Sequence, residues 1–169
     1  MQLARSHALI VDTHLAPLPA EMQDVYLSDY RAWVVEACRR EAARNARALA
    51  ILDALCVGTG SAARFRNWSA IGPHAALRRE YGLSEDALAI LLLCAAPQLW
   101  HALGHVYVTI ATQRRGVDAR LIGDLLANRC TVQRELAPDA PLLACGLVSQ
   151  RSNHSLVVSR DGVLRLAGG

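Results

Sequence analysis

The chain has 169 residues, 53% of them hydrophobic and 20% charged, with a net charge of +3. That balance supports a packed core and excludes a disordered chain, and it falls far short of the concentrated basic footprint of a dedicated nucleic-acid binder. All 18 basic residues are arginine, and the five cysteines, Cys38, Cys56, Cys94, Cys130 and Cys145, include no CxxC pair. A zinc ribbon and a thioredoxin-like motif are thereby excluded, and the thiols are expected to be reduced, mostly buried, in a cytoplasmic protein.

In chain order, residues 1–19 carry one Arg and a short apolar stretch interrupted by His and Asp, which is not a signal peptide. A short strand at Ala8–Val11 is expected there, ending at Pro17 and Pro19. From Ala20 to Leu55 apolar residues recur at three- and four-residue steps, which predicts helix. Ser28 or Asp29 is placed to cap a long helix over 29–55, after a shorter one at Ala20–Leu27. The Arg-rich middle of that helix reads as a solvated face with i,i+4 ion pairs such as Glu36–Arg40. Residues 58–72 are rich in Gly and Ser without periodicity and read as a flexible break between an N-terminal helical segment (1–57) and a C-terminal unit (73–169).

In that unit Pro73 opens a helix that Gly82 stops, and Ser84 caps the next, with Glu85 and Asp86 in its first turn. The ten residues Ala87–Ala96 then carry no polar group except one thiol. A membrane span needs about 20 apolar residues, so this run predicts a buried core helix ended by Pro97. A further helix is expected from Pro97 to Ile110, a break at Arg114–Gly116, helices at Asp118–Ala127 and Thr131–Leu136, and a rigid loop at Ala137–Leu143. The stretch Ser155–Leu166 predicts two short strands turning at Asp161-Gly162. The fold class expected is mainly α: a helical segment followed by a winged-helix-like unit ending in a β-hairpin.

Candidate chemistry is sparse. Gly58 and Gly60 follow a helix and no Lys comes after them, so the P-loop pattern is not met. The turn Gly82–Ser84 has helix-turn-helix rhythm, but the second helix offers Ala, Leu, Ile and Cys where base edges demand Arg, Asn or Gln. The exposed residues of 118–127, Asp118, Arg120 and Asp124, are mixed in sign. His101 and His105 share the spacing of zinc peptidases without the catalytic Glu. No catalytic residue, metal or cofactor is expected.

"YGLSEDALAILLLCAAPQL" (81–99), "VYVTIATQRRGVDARLIGDLLA" (106–127) and "LAPDAPLLACGLV" (136–148) together resemble a region N-terminal to the ATPase module of certain bacterial AAA-type ATPases. Those ATPases accompany phage-tail-like contractile injection systems. The match lies at Gly82, Leu83, Ser84, Ala96, Pro97, Leu99, Tyr107, Arg114, Arg115, Pro138, Asp139, Pro141 and Leu142, and covers about half the chain. Trp100 replaces an acidic residue, and Ala111–Gln113 replaces an acidic pair. No Walker motif or arginine finger is present in the sequence. The resemblance implies a non-catalytic module that docks a protein partner, either the ATPase module or an injection-system component. Trp100, Arg114 and Arg115, or the hairpin, are the expected contacts. Two rival classes are a small winged-helix DNA-binding regulator and a helical oligomerisation scaffold built on the helix over 29–55.

Overall fold

The computed structural model describes residues 18–56, 58, 60–111 and 117–168; the expected strand at Ala8–Val11 and the break at Arg114–Gly116 lie outside them. The described chain is mainly α, with one antiparallel strand pair near its C terminus.

Helix α1 (Ala20–Ala42) runs unbroken through the expected cap at Ser28–Asp29. Asp29 has no freedom to cap, because its carboxylate is fully buried and accepts hydrogen bonds from residues 61–68. The break comes instead at Ala43–Asn45, where the Asn45 side chain accepts from the Ala48 backbone N–H at 3.1 Å and starts α2 (Ala46–Leu55). The single helix over 29–55 on which a scaffold reading rested is therefore two helices packed on each other. The expected Glu36–Arg40 pair is replaced by a bond from Arg40 to the Leu125 carbonyl (2.8 Å).

The expected flexible break holds α3 (Ala62–Phe65) and a 3-10 turn (Arg66–Ser69), with α3 packed on α1. Gly60 serves this contact: a Cβ there would stand 2.2 Å from the Ser28 carbonyl oxygen, so only glycine lets the segment approach. Helix α4 (Pro73–Tyr81) begins and ends as expected, with Gly82 at φ +62°.

Helix α5 (Glu85–Leu99) is capped by Ser84, whose hydroxyl accepts from the Ala87 N–H at 3.0 Å. It does not end at Pro97, as the sequence suggests, but runs on to Leu99 and bends by 115° into α6 (His101–Ala111). A proline inside a helix strips the carbonyl four residues earlier of its partner. Here that carbonyl is Leu93, and the buried Tyr107 hydroxyl, reaching over from α6, donates to it at 2.8 Å. The Tyr30 hydroxyl of α1 donates to the neighbouring Leu92 carbonyl. The Tyr107 hydroxyl thus makes the proline tolerable. No single helix among the described residues is long and apolar enough to cross a membrane.

Helices α7 (Ala119–Leu125), α8 (Arg129–Glu135) and α9 (Pro141–Ala144) follow; α9 occupies what read as a rigid loop. Strands β1 (Val148–Gln150) and β2 (Leu156–Val158) pair with Val148 opposite Val158 and Gln150 opposite Leu156. The hairpin therefore lies upstream of its expected place. Asp161 and Gly162 belong to α10 (Arg160–Leu166), because the Ser159 hydroxyl accepts from the Gly162 N–H at 3.1 Å and nucleates a helix there. Tyr30, Leu52, Leu91, Tyr107, Ile122, Val158 and Leu166 belong to one buried cluster, so the segments before and after residues 58–72 share a core.

Tyr107→Phe leaves the Leu93 carbonyl buried without a partner and is expected to destabilise the fold by about 1–3 kcal/mol in urea unfolding. In a Pro97→Ala background the restored N–H at residue 97 supplies a substitute donor, and the same substitution should cost less than half as much. Equal losses in both backgrounds would show that the hydroxyl does not compensate for the proline.

Candidate interaction surfaces

The side chains best equipped for chemistry are occupied inside the core. Asp29 accepts from the Ser61 N–H (2.9 Å), from Arg64 Nε and Nη2 (both 2.8 Å) and from Trp68 Nε1 (3.0 Å). Burial pushes its carboxyl up, but the bonds from Arg64, Trp68 and Ser61 outweigh that and leave it below the usual carboxylate range. His74 is also buried, its ring stacked on Tyr26 at 5.6 Å and tilted against Phe65 at 5.0 Å. It shares a 3.1 Å hydrogen bond with the Tyr26 hydroxyl. Burial, helped by the nearby Arg78 charge, lowers the His74 pKa to about 4, so the imidazole is neutral near neutral pH. Burial also pushes the Cys38 and Cys94 thiols up to about 12, which makes them inert. Cys56, Cys130 and Cys145 are exposed, against the expectation that most of the thiols are buried.

His101 and His105 are exposed on α6 with ring centroids 4.9 Å apart, edge to face. Among the described residues no group of three or more His, Cys, Asp or Glu is placed to hold a metal ion.

Helices α7 and α8 are packed on each other across a short turn. The turn between them passes through Ala127 at φ +54°, and Asn128 caps α8 by accepting from the Thr131 N–H at 3.2 Å. Only Val132 of α8 is buried, while Arg129, Gln133 and Arg134 face out. These are base-reading residue types, and Arg151, Asn153 and His154 are exposed in the hairpin loop. The arginines are nonetheless neutralised locally: Arg129 bonds Asp124 at 2.6 Å and Arg134 lies 3.7 Å from Glu135.

Trp100, expected as an exposed contact, is half-buried, its ring edge-on to Tyr30 at 5.0 Å, and its backbone caps α5 at the bend. Arg114 and Arg115 lie outside the described residues.

A surface that the sequence did not single out lies between α2 and α6. An open groove of about 780 Å³ is lined by Ala50, Ile51, Ala54, Leu55, Ala102 and Val108, with Arg47 and His105 among its polar edges. Val108, in this lining, is 56% exposed. The signal was present in sequence: α2 and α6 are apolar on more faces than one buried contact needs.

Folded His74 binds its proton only near pH 4, whereas the unfolded residue binds it near 6.5, so acidification through that window favours the unfolded state. The loss expected between pH 7 and pH 4 is on the order of 3 kcal/mol. Asp29, depressed in the folded state, contributes stability above its unfolded pKa, and that is lost only as pH falls further through its folded value. Urea midpoints for the native chain should therefore drop between pH 7 and pH 4.5, and those for His74→Gln should stay nearly level. A parallel drop in both proteins would assign the titration elsewhere. Compared with known proteins, the chain matches no family model, no curated protein sequence and no solved structure.

Proposed function

We propose that this chain is a non-catalytic module that docks a protein partner in the cytoplasm, of the kind that precedes the ATPase module in injection-system AAA-type ATPases. The observation that carries the reading is the open apolar groove between α2 and α6, a concave surface of the sort that receives apolar side chains from another protein. The resemblance over 81–148 supplies the ATPase context. In the same proposal Arg114 and Arg115 remain contacts to the partner, while Trp100 acts by holding the α5–α6 bend on which one wall of the groove depends.

Duplex DNA binding through α8 and the hairpin loop is the second reading, favoured by the outward Arg129, Gln133 and Arg134. The carboxylates of Asp124 and Glu135 beside two of these arginines weigh against it, because they repel phosphates.

Fluorescence anisotropy with a labelled mixed-sequence duplex, titrated at ~50 mM and ~200 mM salt, separates the two. The docking module should bind with Kd on the order of 10⁻⁵ M or weaker at the higher salt, the range of non-specific association. A submicromolar Kd at the higher salt, lost with Arg134→Ala, would reject the docking reading in favour of a DNA-binding regulator.

A further inference from the structure

We infer that the α2–α6 groove receives one helix of the partner, about three turns long, with an apolar stripe and an acidic residue at the end lying over Arg47. This rests on the docking reading and adds to it the site and the chemistry of the occupant. The walls are two packed helices of 10 and 11 residues, so the groove is about 15 Å long at 1.5 Å per residue. Its floor contains the small residues Ala50, Ala54 and Ala102, which let a third helix approach closely, and Ile51 and Val108 offer the larger apolar contacts. An apolar stripe at i, i+3, i+4 and i+7 is what such a surface selects.

Charge sets the orientation. The lining contains Arg47 and His105 and no carboxylate. The one acid of α2, Asp53, is turned to the other side and held by Arg39 at 2.9 Å. Among the described residues Arg47 has no ion-pair partner. It lies in the first turn of α2, where the helix dipole adds to its positive potential. A duplex would find too few cations here and a floor that phosphates cannot use, and a basic helix would be repelled. An acidic amphipathic helix satisfies both the floor and the rim.

The test is selection of a displayed library of helical peptides about 14 residues long against the full chain, followed by anisotropy of the enriched peptides. The expected winners carry an apolar stripe with Asp or Glu at one end, and bind at least ~10-fold more weakly to Val108→Asp and to Arg47→Glu. Gln133→Ala on α8 should bind them as the native chain does, and Arg47→Glu should select basic ends. All three substitutions are at exposed positions, and circular dichroism confirms folding before binding is compared. Enrichment of peptides indifferent to Val108→Asp and Arg47→Glu overturns the groove as the site but leaves the docking reading standing. Neutral or basic winners at the groove overturn the chemistry assigned to the occupant. No enrichment at all overturns the inference, and the duplex titration then decides the docking reading separately.

Discussion

A helical run of ten residues that is apolar on every side has to be enclosed on every side, and the fold is arranged around that requirement. Helix α5 offers no polar side chain other than a thiol between Ala87 and Ala96, so elements from both halves of the chain converge on it: α1, α6, α7, α8, α9, α10 and β2. Most of the surface this removes from water is Leu, Ile and Ala, at about 25 cal/mol per Å² of apolar area. Enclosure raises a second demand, because water cannot reach the carbonyl that Pro97 deprives of its backbone partner. Tyr107, one helix on, and Tyr30, more than sixty residues earlier, each send a hydroxyl to adjacent carbonyls, Leu93 and Leu92. Burial pushes both phenols well above their ordinary pKa, which keeps them as donors at any ordinary pH. Pro97 and Tyr107 are therefore one device, which fixes where α6 packs along α5, and the Tyr30 bond to the adjacent carbonyl fixes α1 beside it.

The other polar device works on α1. A lone buried carboxylate would be driven toward its neutral form, yet Asp29 stays ionised because four N–H groups converge on its two oxygens. Its value lies less in net stability, which buried ion pairs supply poorly, than in specificity. It dictates that residues 61–68 lie along α1 in one register, with Gly60 against the Ser28 carbonyl. That register places Phe65 and Trp68 around Tyr26 and His74 to close the aromatic end of the core.

These two devices mark the boundary of what the sequence made legible. The helices of the C-terminal unit followed from local signals, the caps at Ser84 and Gly82 and the apolar run from Ala87, because each signal acts within a few residues. The errors came where a distant partner decides. Asp29 has the composition of a cap, and only the donors 32 to 39 residues away reveal it as a buried acceptor. Gly60 looks like slack unless the Ser28 carbonyl beside it is known. Pro97 looks like a stop unless Tyr107 is seen to take its place. The shifted hairpin is different, since two local signals competed there. Ser159 as a helix cap, with Asp161 in the first turn, prevailed over the Asp161-Gly162 turn. The surplus of apolar residues on α2 and α6 was legible, but the groove itself was not, because apolar residues facing a neighbour and those facing a groove obey the same periodicity.

The groove is informative because the rest of the molecule settles its polar and apolar groups so completely. Among the described residues no buried side-chain nitrogen or oxygen lacks a hydrogen-bond partner. The other large exposed hydrophobics, Met22, Val25, Ile71 and Leu164, lie on α1, the loop before α4 and α10, well apart from Val108 in sequence, and singly exposed apolar residues are ordinary on a protein surface. Val108 differs in having Ile51, Leu55, Ala54 and Ala102 around the same concavity. Filling that concavity from within would have required only a longer side chain at Ala50, Ala54 or Ala102, positions with open space in front of them. Small residues there leave the groove unfilled, and among the described residues the Arg47 charge at its rim has no ion-pair partner. Among the described residues that surface is concave, largely apolar and bordered by the Arg47 guanidinium, and the acidic amphipathic helix proposed above would meet both features.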